Sequence, residues 1–387
     1  MAKVFQAANL VNATAAELWG KNAPAVKSLT DLVSLGDMVF SSTTNKELFL
    51  NTLVDKIKRT VIRTLDNSVD LPNLLLDQDS YYGILQKINI RPMAAVNDNS
   101  WNVGDVSFTP SLYDIHKPDV SQKLFQNVSS FVIRLTVPEV LYRSAFDEGK
   151  MDEFIAGLFE NVEKCLIEYI NAMTHLVLCN LIAERIKEQR GVNLLDLYKQ
   201  TFTSATITED DAIYDKDFLR FAGMTIRNYI KYMQHSSVLY NDGTELRATQ
   251  RDNMHVVMLT DFVSAYTTYY SADTFHQELA QMPLYSETMA WMSAGNTVPN
   301  FSDNSSINVV PASEAEEDIP TAVEASGIVA VLADRQALGV CLYDEWSATD
   351  HNGADRYTNY TFGVNRGNLN DLSENAVVFY IADPVTP

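Results

Sequence analysis

The chain has 387 residues, 46% of them hydrophobic and 20% charged, which is typical of a globular protein rather than a disordered or fibrous one. Fifty acidic residues against 29 basic ones give a net charge of -21, which argues against a sequence reader of nucleic acid with a basic stripe. No run approaches 18 apolar residues, and Asn9, Asn12, Thr14 and Glu17 interrupt the first apolar stretch. We therefore expect no membrane span, no secretion, and a cytosolic site of synthesis and use.

The three cysteines, Cys165, Cys179 and Cys341, are odd in number and form no CxxC pair. Two of them lie inside an apolar helical pattern. This favours buried free thiols over a disulfide framework.

The N-terminal third mixes helical and extended patterns. Helical spacing runs over residues 13–18 and 46–65, whereas residues 84–90, 106–109 and 129–136 read as strands. Between the outer two strands lie roughly 35 residues with little apolar content, too long for an ordinary connection. We predict a projecting hairpin that lies on a partner, because such an arm cannot bury itself.

A short helix is predicted to start at Thr136-Val137-Pro138-Glu139, since proline and glutamate favour the first turn. A much longer helix follows from about Met151 to Glu188, and we call it the spine helix. Its apolar positions recur at steps of three and four, and its charged residues, Glu184 and Arg185 included, are assigned to the opposite face. About 38 helical residues would span roughly 57 Å, more than a compact domain.

The following lobe, about 215–310, reads as α/β. It combines a helix at 217–232, a hairpin of 238–240 and 246–248 around Asn241-Asp242-Gly243, and a buried strand at 255–260. An acidic loop covers 311–326. The chain then ends in strands that we expect to pair beside the spine helix, together with 129–136; they cover residues 327–333, 340–343, 357–364 and 377–381.

The sequence contains no phosphate-binding loop, dinucleotide fingerprint, nucleophile elbow or HExxH motif. His175 and Cys179 are four apart on one helical face, but two unlike ligands make a weak metal site, so a packed core pair is favoured. Asp350, His351 and Asp355 lie in one loop that has the residue types for a cation. Asp210, Asp211, Asp215 and Asp217 form a second acidic cluster. For both groups solvated carboxylates are the simpler interpretation, and we assign no catalytic, cofactor or metal residue.

The order of parts is an N-terminal arm, a long hairpin, a very long helix, an α/β lobe and returning strands. It resembles the major capsid protein of tailed bacteriophages, with the Hong Kong 97-like shell fold. Short phrases carry the same resemblance; they are Thr136-Val137-Pro138-Glu139 with Arg143-Ser144-Ala145-Phe146, Ala333-Asp334-Arg335-Gln336-Ala337-Leu338-Gly339, Tyr357-Thr358-Asn359-Tyr360 and Asn370-Asp371-Leu372-Ser373-Glu374-Asn375-Ala376.

The resemblance implies an α+β fold with an N-terminal arm at 1–75 and an extended loop at 76–130 on a neighbouring subunit. It further implies a peripheral domain with the spine helix at 131–205, an axial domain at 206–326, and peripheral C-terminal strands at 327–387. Some relatives join subunits by a lysine–asparagine crosslink. Lys87 and Lys117 lie in the corresponding region, but nothing in the sequence identifies a partner.

The implied function is non-enzymatic. Pentamers and hexamers would form the icosahedral head around double-stranded DNA, with non-specific DNA contact, a portal, and scaffolding or decoration proteins as partners, and no membrane. The implied location is the virion, after assembly in the host cytoplasm. Three alternatives stay open: an encapsulin-like protein nanocompartment; in a different class, a metal-dependent enzyme using the loop from Asp350 to Asp355; and another virion structural protein, such as a head-decoration or portal component.

Overall fold

The computed structural model describes residues 2–20, 69–76, 84–90, 119–126, 129–141, 151–271, 283–292, 300–314 and 320–382, with Lys117 and isolated positions between 35 and 52. The predicted strand at 106–109 lies outside the described residues, as does most of the predicted helix at 46–65. The predicted helix at 13–18 is confirmed as part of a longer one.

The helices of the described residues are α1 (Ala2–Trp19), α2 (Met151–Lys187), α3 (Leu194–Thr201), α4 (Glu209–Ala212), α5 (Lys216–Tyr232), α6 (Thr260–Ser271) and α7 (Phe301–Asn304). The strands are β1 (Ile84–Ile90), β2 (Val120–Gln126), β3 (Ser129–Pro138), β4 (Val192–Asn193), β5 (Met254–Leu259), β6 (Leu284–Thr288), β7 (Ile307–Val309), β8 (Val323–Ala325), β9 (Ile328–Asp334), β10 (Leu338–Asn352), β11 (Tyr357–Asn370) and β12 (Ala376–Tyr380).

The spine helix α2 is confirmed as one uninterrupted helix of 37 residues. Its first half buries Val162, Leu166 and Ile170 in a smaller core, with α1, β3 and β11. Its second half buries Leu178 and Leu181 in a larger core built on the main sheet. One helix therefore crosses two hydrophobic cores and fixes their relative position.

The larger core surrounds a five-stranded sheet in the order β4-β12-β9-β5-β6. Strands β5 and β9 are buried at every position, which is expected of inner strands covered on both faces. They pair antiparallel, from Met254 opposite Asp334 to Met258 opposite Ala330. This pairing joins residues on both sides of the predicted domain boundary at 326/327, so the two segments share one core.

The smaller core lies under a three-stranded antiparallel sheet in the order β10-β11-β3. The expected pairing of the 129–136 strand with the C-terminal strands is confirmed, because Ser129 to Pro138 pairs with Arg366 to Tyr357. Strands β10 and β11 have 15 and 14 residues, so they are much longer than the sequence predicts. The ends of these strands carry polar residues, so a search for apolar runs does not detect them as strand.

Two local predictions are wrong. Thr136, Val137 and Pro138 belong to β3, and helical backbone begins only at Glu139. Pro138 is tolerated because it ends a strand at the edge of the sheet, where its missing N–H costs no inner ladder bond. The predicted hairpin at 238–248 is reduced to one bridge between Ser237 and Arg247, although a turn with Gly243 at positive φ does form.

The charged residues Glu184 and Arg185 do not decorate a solvent face, as expected from the sequence, but are buried. The carboxylate of Glu184 accepts hydrogen bonds from the backbone N–H and the hydroxyl of Ser313, both at 2.9 Å.

Cys165, predicted to be buried, is exposed, whereas Cys179 is buried and Cys341 is intermediate. By length and composition alone, Glu160–Lys187 would suffice to cross a membrane, but a core helix passes the same test, and Val162, Leu166, Leu178 and Leu181 of this segment are packed in the two cores.

The two cores give a test of the spine helix. Leu166 is 4% exposed, so Leu166→Asp should lower the free energy of unfolding by more than about 4 kcal/mol, because an unpaired carboxylate replaces packed apolar atoms. The matched control is Leu176→Asp on the same helix, where the side chain is 46% exposed and the expected loss is under about 1 kcal/mol. Urea unfolding of both variants measures the difference, and equal losses would show that the helix faces are misassigned.

Candidate assembly surfaces

The hairpin β1–β2 carries two lysines on one face. Lys87 and Lys123 stand directly opposite each other in its antiparallel register. Like charges at such a pair destabilise a hairpin unless an anion lies between them. Here the Asp371 carboxylate does so, accepting from Lys87 Nζ at 2.9 Å and from Lys123 Nζ at 3.1 Å.

Further polar contacts lie beside the two lysines. Lys87 Nζ also lies 2.5 Å from Glu374 Oε1, and the Ser121 hydroxyl donates to Glu245 at 3.3 Å. Asp371 and Glu374 are almost fully buried, and Lys87 is only 13% exposed. Charge pairs with buried carboxylates therefore attach the hairpin to the body of its own subunit.

The surroundings of the Asp371 side chain stabilise its ionised form. Burial raises its pKa, but hydrogen bonds and charge from Lys87, with hydrogen bonds from Ser373 and Lys123, outweigh burial and bring the pKa down to about 2. The Ser373 hydroxyl donates to Asp371 at 2.7 Å and the Ser373 N–H at 3.1 Å. The carboxylate thus holds both its own loop and the hairpin.

Beneath this loop lies Arg185 of the spine helix, fully buried. Its Nη2 donates to the carbonyls of Leu372 and Glu374 at 2.7 and 3.0 Å, and its Nη1 donates to Glu188 at 3.0 Å. Burial lowers the pKa of the guanidinium, and Glu188 opposes that shift. We call residues 371–375 together with Arg185 and Asn241 the polar junction.

Asn241 connects the 237–249 loop to the same place. Its side-chain amide donates to Glu245 O at 2.6 Å, and Asp242 N–H donates to Leu372 O at 3.0 Å. Arg190, near the end of the spine helix, donates to the carbonyls of Asn241 and Val238. The spine, the 237–249 loop, the main sheet and the hairpin therefore meet in one hydrogen-bonded cluster.

The opposite face of the hairpin carries three exposed apolar side chains. Ile88, Ile90 and Val120 are 58%, 69% and 52% exposed. Ile90 is paired with Val120, and Ile88 lies two residues away on the same side of the strand. A two-stranded hairpin is marginal by itself, so three neighbouring exposed apolar side chains mark a contact surface.

The residues considered for metal binding are engaged elsewhere. The Trp291 carbonyl accepts from the Cys179 thiol at 3.1 Å and lies 3.2 Å from His175 Nδ1, so the two residues form a packed pair on a neighbouring segment. Burial raises the pKa of Cys179 to about 12, which disfavours the thiolate that a metal needs. Trp291 is itself fixed by its indole N–H, which donates to Ile328 O at 2.8 Å.

The loop with Asp350 and Asp355 is the tip of the β10–β11 hairpin. His351 Nδ1 lies 3.2 Å from the Thr358 hydroxyl, and Asp355 accepts from the Asn352 amide at 3.1 Å. Asn352 in turn caps the backbone of Ala354 and Asp355. Over the part of the chain that the structure describes, no three His, Cys, Asp or Glu side chains converge on a possible metal position.

Comparison with known proteins identifies the family. A sequence profile described as Phi29-like phage major capsid protein matches residues 11–380. The chain belongs to this family. A search of curated proteins finds no match.

A solved capsid chain agrees in fold, and other phage structures match with lower scores. A chain in the capsid structure of Staphylococcus phage Andhra matches with a TM-score of 0.51 and 10% identity, covering 80% of this chain and 83% of that one. A chain in a structure of the head fiber and inner core protein gp22 of bacteriophage P68 gives 0.49 at 11% identity, with 79% and 83% covered. A chain from Mycobacterium phage Cain gives 0.42 at 10% identity, with 83% and 92% covered.

The protein is thus a tailed-phage major capsid protein with a Hong Kong 97-like fold, and its role is in the capsid shell of a virion. The hairpin β1–β2 lies within residues 76–130, the range predicted from the sequence as an extended loop. The sequence had singled out Lys87 but not its partner Asp371, because 284 residues separate them. Strand β2 was missed as well, since Val120–Gln126 alternates too weakly to indicate a strand.

The lowered pKa of Asp371 predicts acid sensitivity. Its contribution is complete above pH about 4, near the pKa of an unfolded aspartate, and is lost as the pH falls toward 2; it amounts to about 2 kcal/mol. Between pH 4 and pH 2, wild type should therefore lose about 2 kcal/mol more unfolding free energy than Asp371→Asn. Urea titrations of both proteins at each pH measure this difference, and parallel curves would contradict it.

Exposure and pKa together predict cysteine reactivity. In the isolated subunit at pH 8, Cys165 should react with a maleimide, whereas Cys179 should react only after unfolding, because it is buried with a pKa of about 12. Mass spectrometry of labelled peptides distinguishes the two sites, with Cys165→Ser as control. Equal labelling rates in the folded protein would show that Cys179 is accessible.

Proposed function

We propose that copies of this chain assemble as pentamers and hexamers into the icosahedral head that encloses phage double-stranded DNA. The observation that carries the proposal is the family match over residues 11–380, combined with a hairpin that exposes Ile88, Ile90 and Val120. Full burial of such side chains contributes about 1.5–3 kcal/mol each, so a neighbouring subunit that covers them stabilises the shell. The role is mechanical and non-enzymatic.

The proposal includes the partners and bounds that the sequence indicates. A portal and scaffolding or decoration proteins act with the shell, contact with DNA is non-specific, and assembly takes place in the host cytoplasm. The parts are the arm at 1–75, the extended loop at 76–130, the peripheral segments at 131–205 and 327–387, and the axial segment at 206–326. The phage family match favours a DNA-filled head over an encapsulin-like compartment.

Electron microscopy of the protein expressed with its gene neighbours tests the assembly. Wild type should give closed icosahedral particles. Ile88→Asp/Ile90→Asp should abolish them, because two carboxylates would be buried at the contact. Its unfolding free energy should stay within about 1 kcal/mol of wild type, since both positions are exposed in the subunit.

The matched control is Ile88→Val/Ile90→Val, which keeps the surface apolar and should assemble normally. Normal particles from the aspartate variant would remove the hairpin from the subunit contact. A wild-type protein that stays monomeric with all its gene neighbours present would count against the shell itself.

A further inference from the structure

The long side of helix α5 forms a basic cleft in an acidic protein. It has a cavity volume of about 660 Å³ and is lined by Arg220, Arg227, Lys231, His235 and Arg251, with no acidic side chain among its lining residues. Between residues 218 and 241 the sequence contains no Asp or Glu at all, although the chain has 50. The cations are thus segregated onto one face, which we call the basic cleft.

Close helix packing shapes this cleft. Gly223 of α5 lies against the Tyr266 ring of α6, and a Cβ there would come within 2.5 Å of the ring. The cleft therefore has an aromatic wall and also an exposed apolar residue, Met224, at 54%. Some of its cations have contacts within their own subunit, so the inference rests on the sign of the whole surface and not on unpaired side chains.

At the other end of α5 the surface has the opposite sign. Helix α4 and the turn after it present Glu209, Asp210 and Asp211 beside Tyr214, which is 68% exposed. We call these four residues the acidic knob. Asp215 is not counted, because its side chain caps α5 by accepting from Phe218 N–H at 2.7 Å.

We propose that the acidic knob of one copy of this chain lies in the basic cleft of the next copy around a ring. Most of the cleft lies near the C-terminal end of the 17-residue helix α5, and the knob precedes its N-terminus. At ~1.5 Å per residue, Arg227 and Lys231 lie about 16 and 22 Å along α5 from its first residue, so these two cations of the cleft are far from the knob of their own subunit. Two different, complementary patches at opposite ends produce a head-to-tail contact, which closes into a ring.

The chemistry of the cleft fits this occupant. Carboxylates meet the guanidinium and ammonium groups, while Tyr214 meets Met224 and the ring of Tyr266. A cavity of about 660 Å³ accepts a few side chains but not a DNA duplex. The inference deepens the proposed shell function and rests on it, because it names the surface by which subunits join around an axis.

Charge reversal tests the pairing. Arg227→Glu/Lys231→Glu and Asp210→Lys/Asp211→Lys should each reduce particle yield at least tenfold, and the quadruple variant should restore it. The matched control combines Arg227→Glu/Lys231→Glu with Glu168→Lys/Asp355→Lys, which restores the net charge at exposed sites outside the knob and should not restore assembly. Normal particles from the cleft variant, with or without a lower DNA content, would overturn the proposal.

Disulfide trapping gives a readout that does not need closed particles. Asn228 of the cleft lies about 18 Å along α5 from Lys216, and Tyr214 is only two residues before Lys216, so Tyr214→Cys and Asn228→Cys exceed the ~7 Å Cα limit of a disulfide within one subunit and only different copies can be linked. With the exposed Cys165 replaced by serine in all proteins, the double variant should give a ladder of covalent oligomers under mild oxidation, and each single variant should not. Absence of the ladder overturns this inference whether or not wild type forms particles. Absence of wild-type particles with the ladder present counts against the proposed shell alone.

Discussion

The burial of Arg185 is the constraint on which the rest of the structure depends. A guanidinium inside a protein needs compensating acceptors, because an uncompensated buried charge is very costly. Two backbone carbonyls of residues 371–375 and the Glu188 carboxylate accept three hydrogen bonds from the Nη1 and Nη2 groups, whereas Nε is buried without a hydrogen-bond partner among the described residues. The loop is thereby fixed over the end of the spine helix. It holds the carboxylates of Asp371 and Glu374 close together, where Lys87 of the hairpin contacts both. The position of the hairpin follows, since its two lysines have their anions there.

In this arrangement, apolar packing holds the subunit together, and polar contacts determine where its parts lie. The two hydrophobic cores hold the spine helix and the sheets together through apolar contacts that have little directional preference. The polar junction instead uses hydrogen bonds with fixed geometry, so it determines where the hairpin and the 237–249 loop sit. Removing one partner there leaves other charges buried and unpaired, which makes the junction cooperative. A subunit built in this way can present the apolar face of the hairpin, Ile88 and Ile90 included, without relying on that face for its own folding.

The features that the sequence predicts are those with a local period. The spine helix, α5 and the buried strands β5 and β9 each repeat their apolar residues at the spacing of one element, and each was found within a few residues. The features that the sequence misses depend on distant partners. Cys165 and Leu176 fit the apolar spacing of the helix but face solvent, and Arg185 looks like a surface residue although Leu372 and Glu374 cover it. Strand β2 acquires its extended form from β1, and the candidate site at Asp371 exists only after folding.

Net charge is also a poor guide to this molecule, because it does not show which charges folding brings together. The total of -21 excludes a broad basic surface, yet it conceals two concentrated groups of cations, one on the hairpin and one along α5. Each group faces, or is proposed to face, carboxylates at a contact between separately placed parts. Charge attraction acts over several ångströms, whereas apolar packing needs close fit, so an electrostatic contact tolerates small changes in angle better. In the proposed pentamers and hexamers the ring contact needs that tolerance. Close fit is needed where Leu166 and Leu181 pack, because those cores lie inside one subunit.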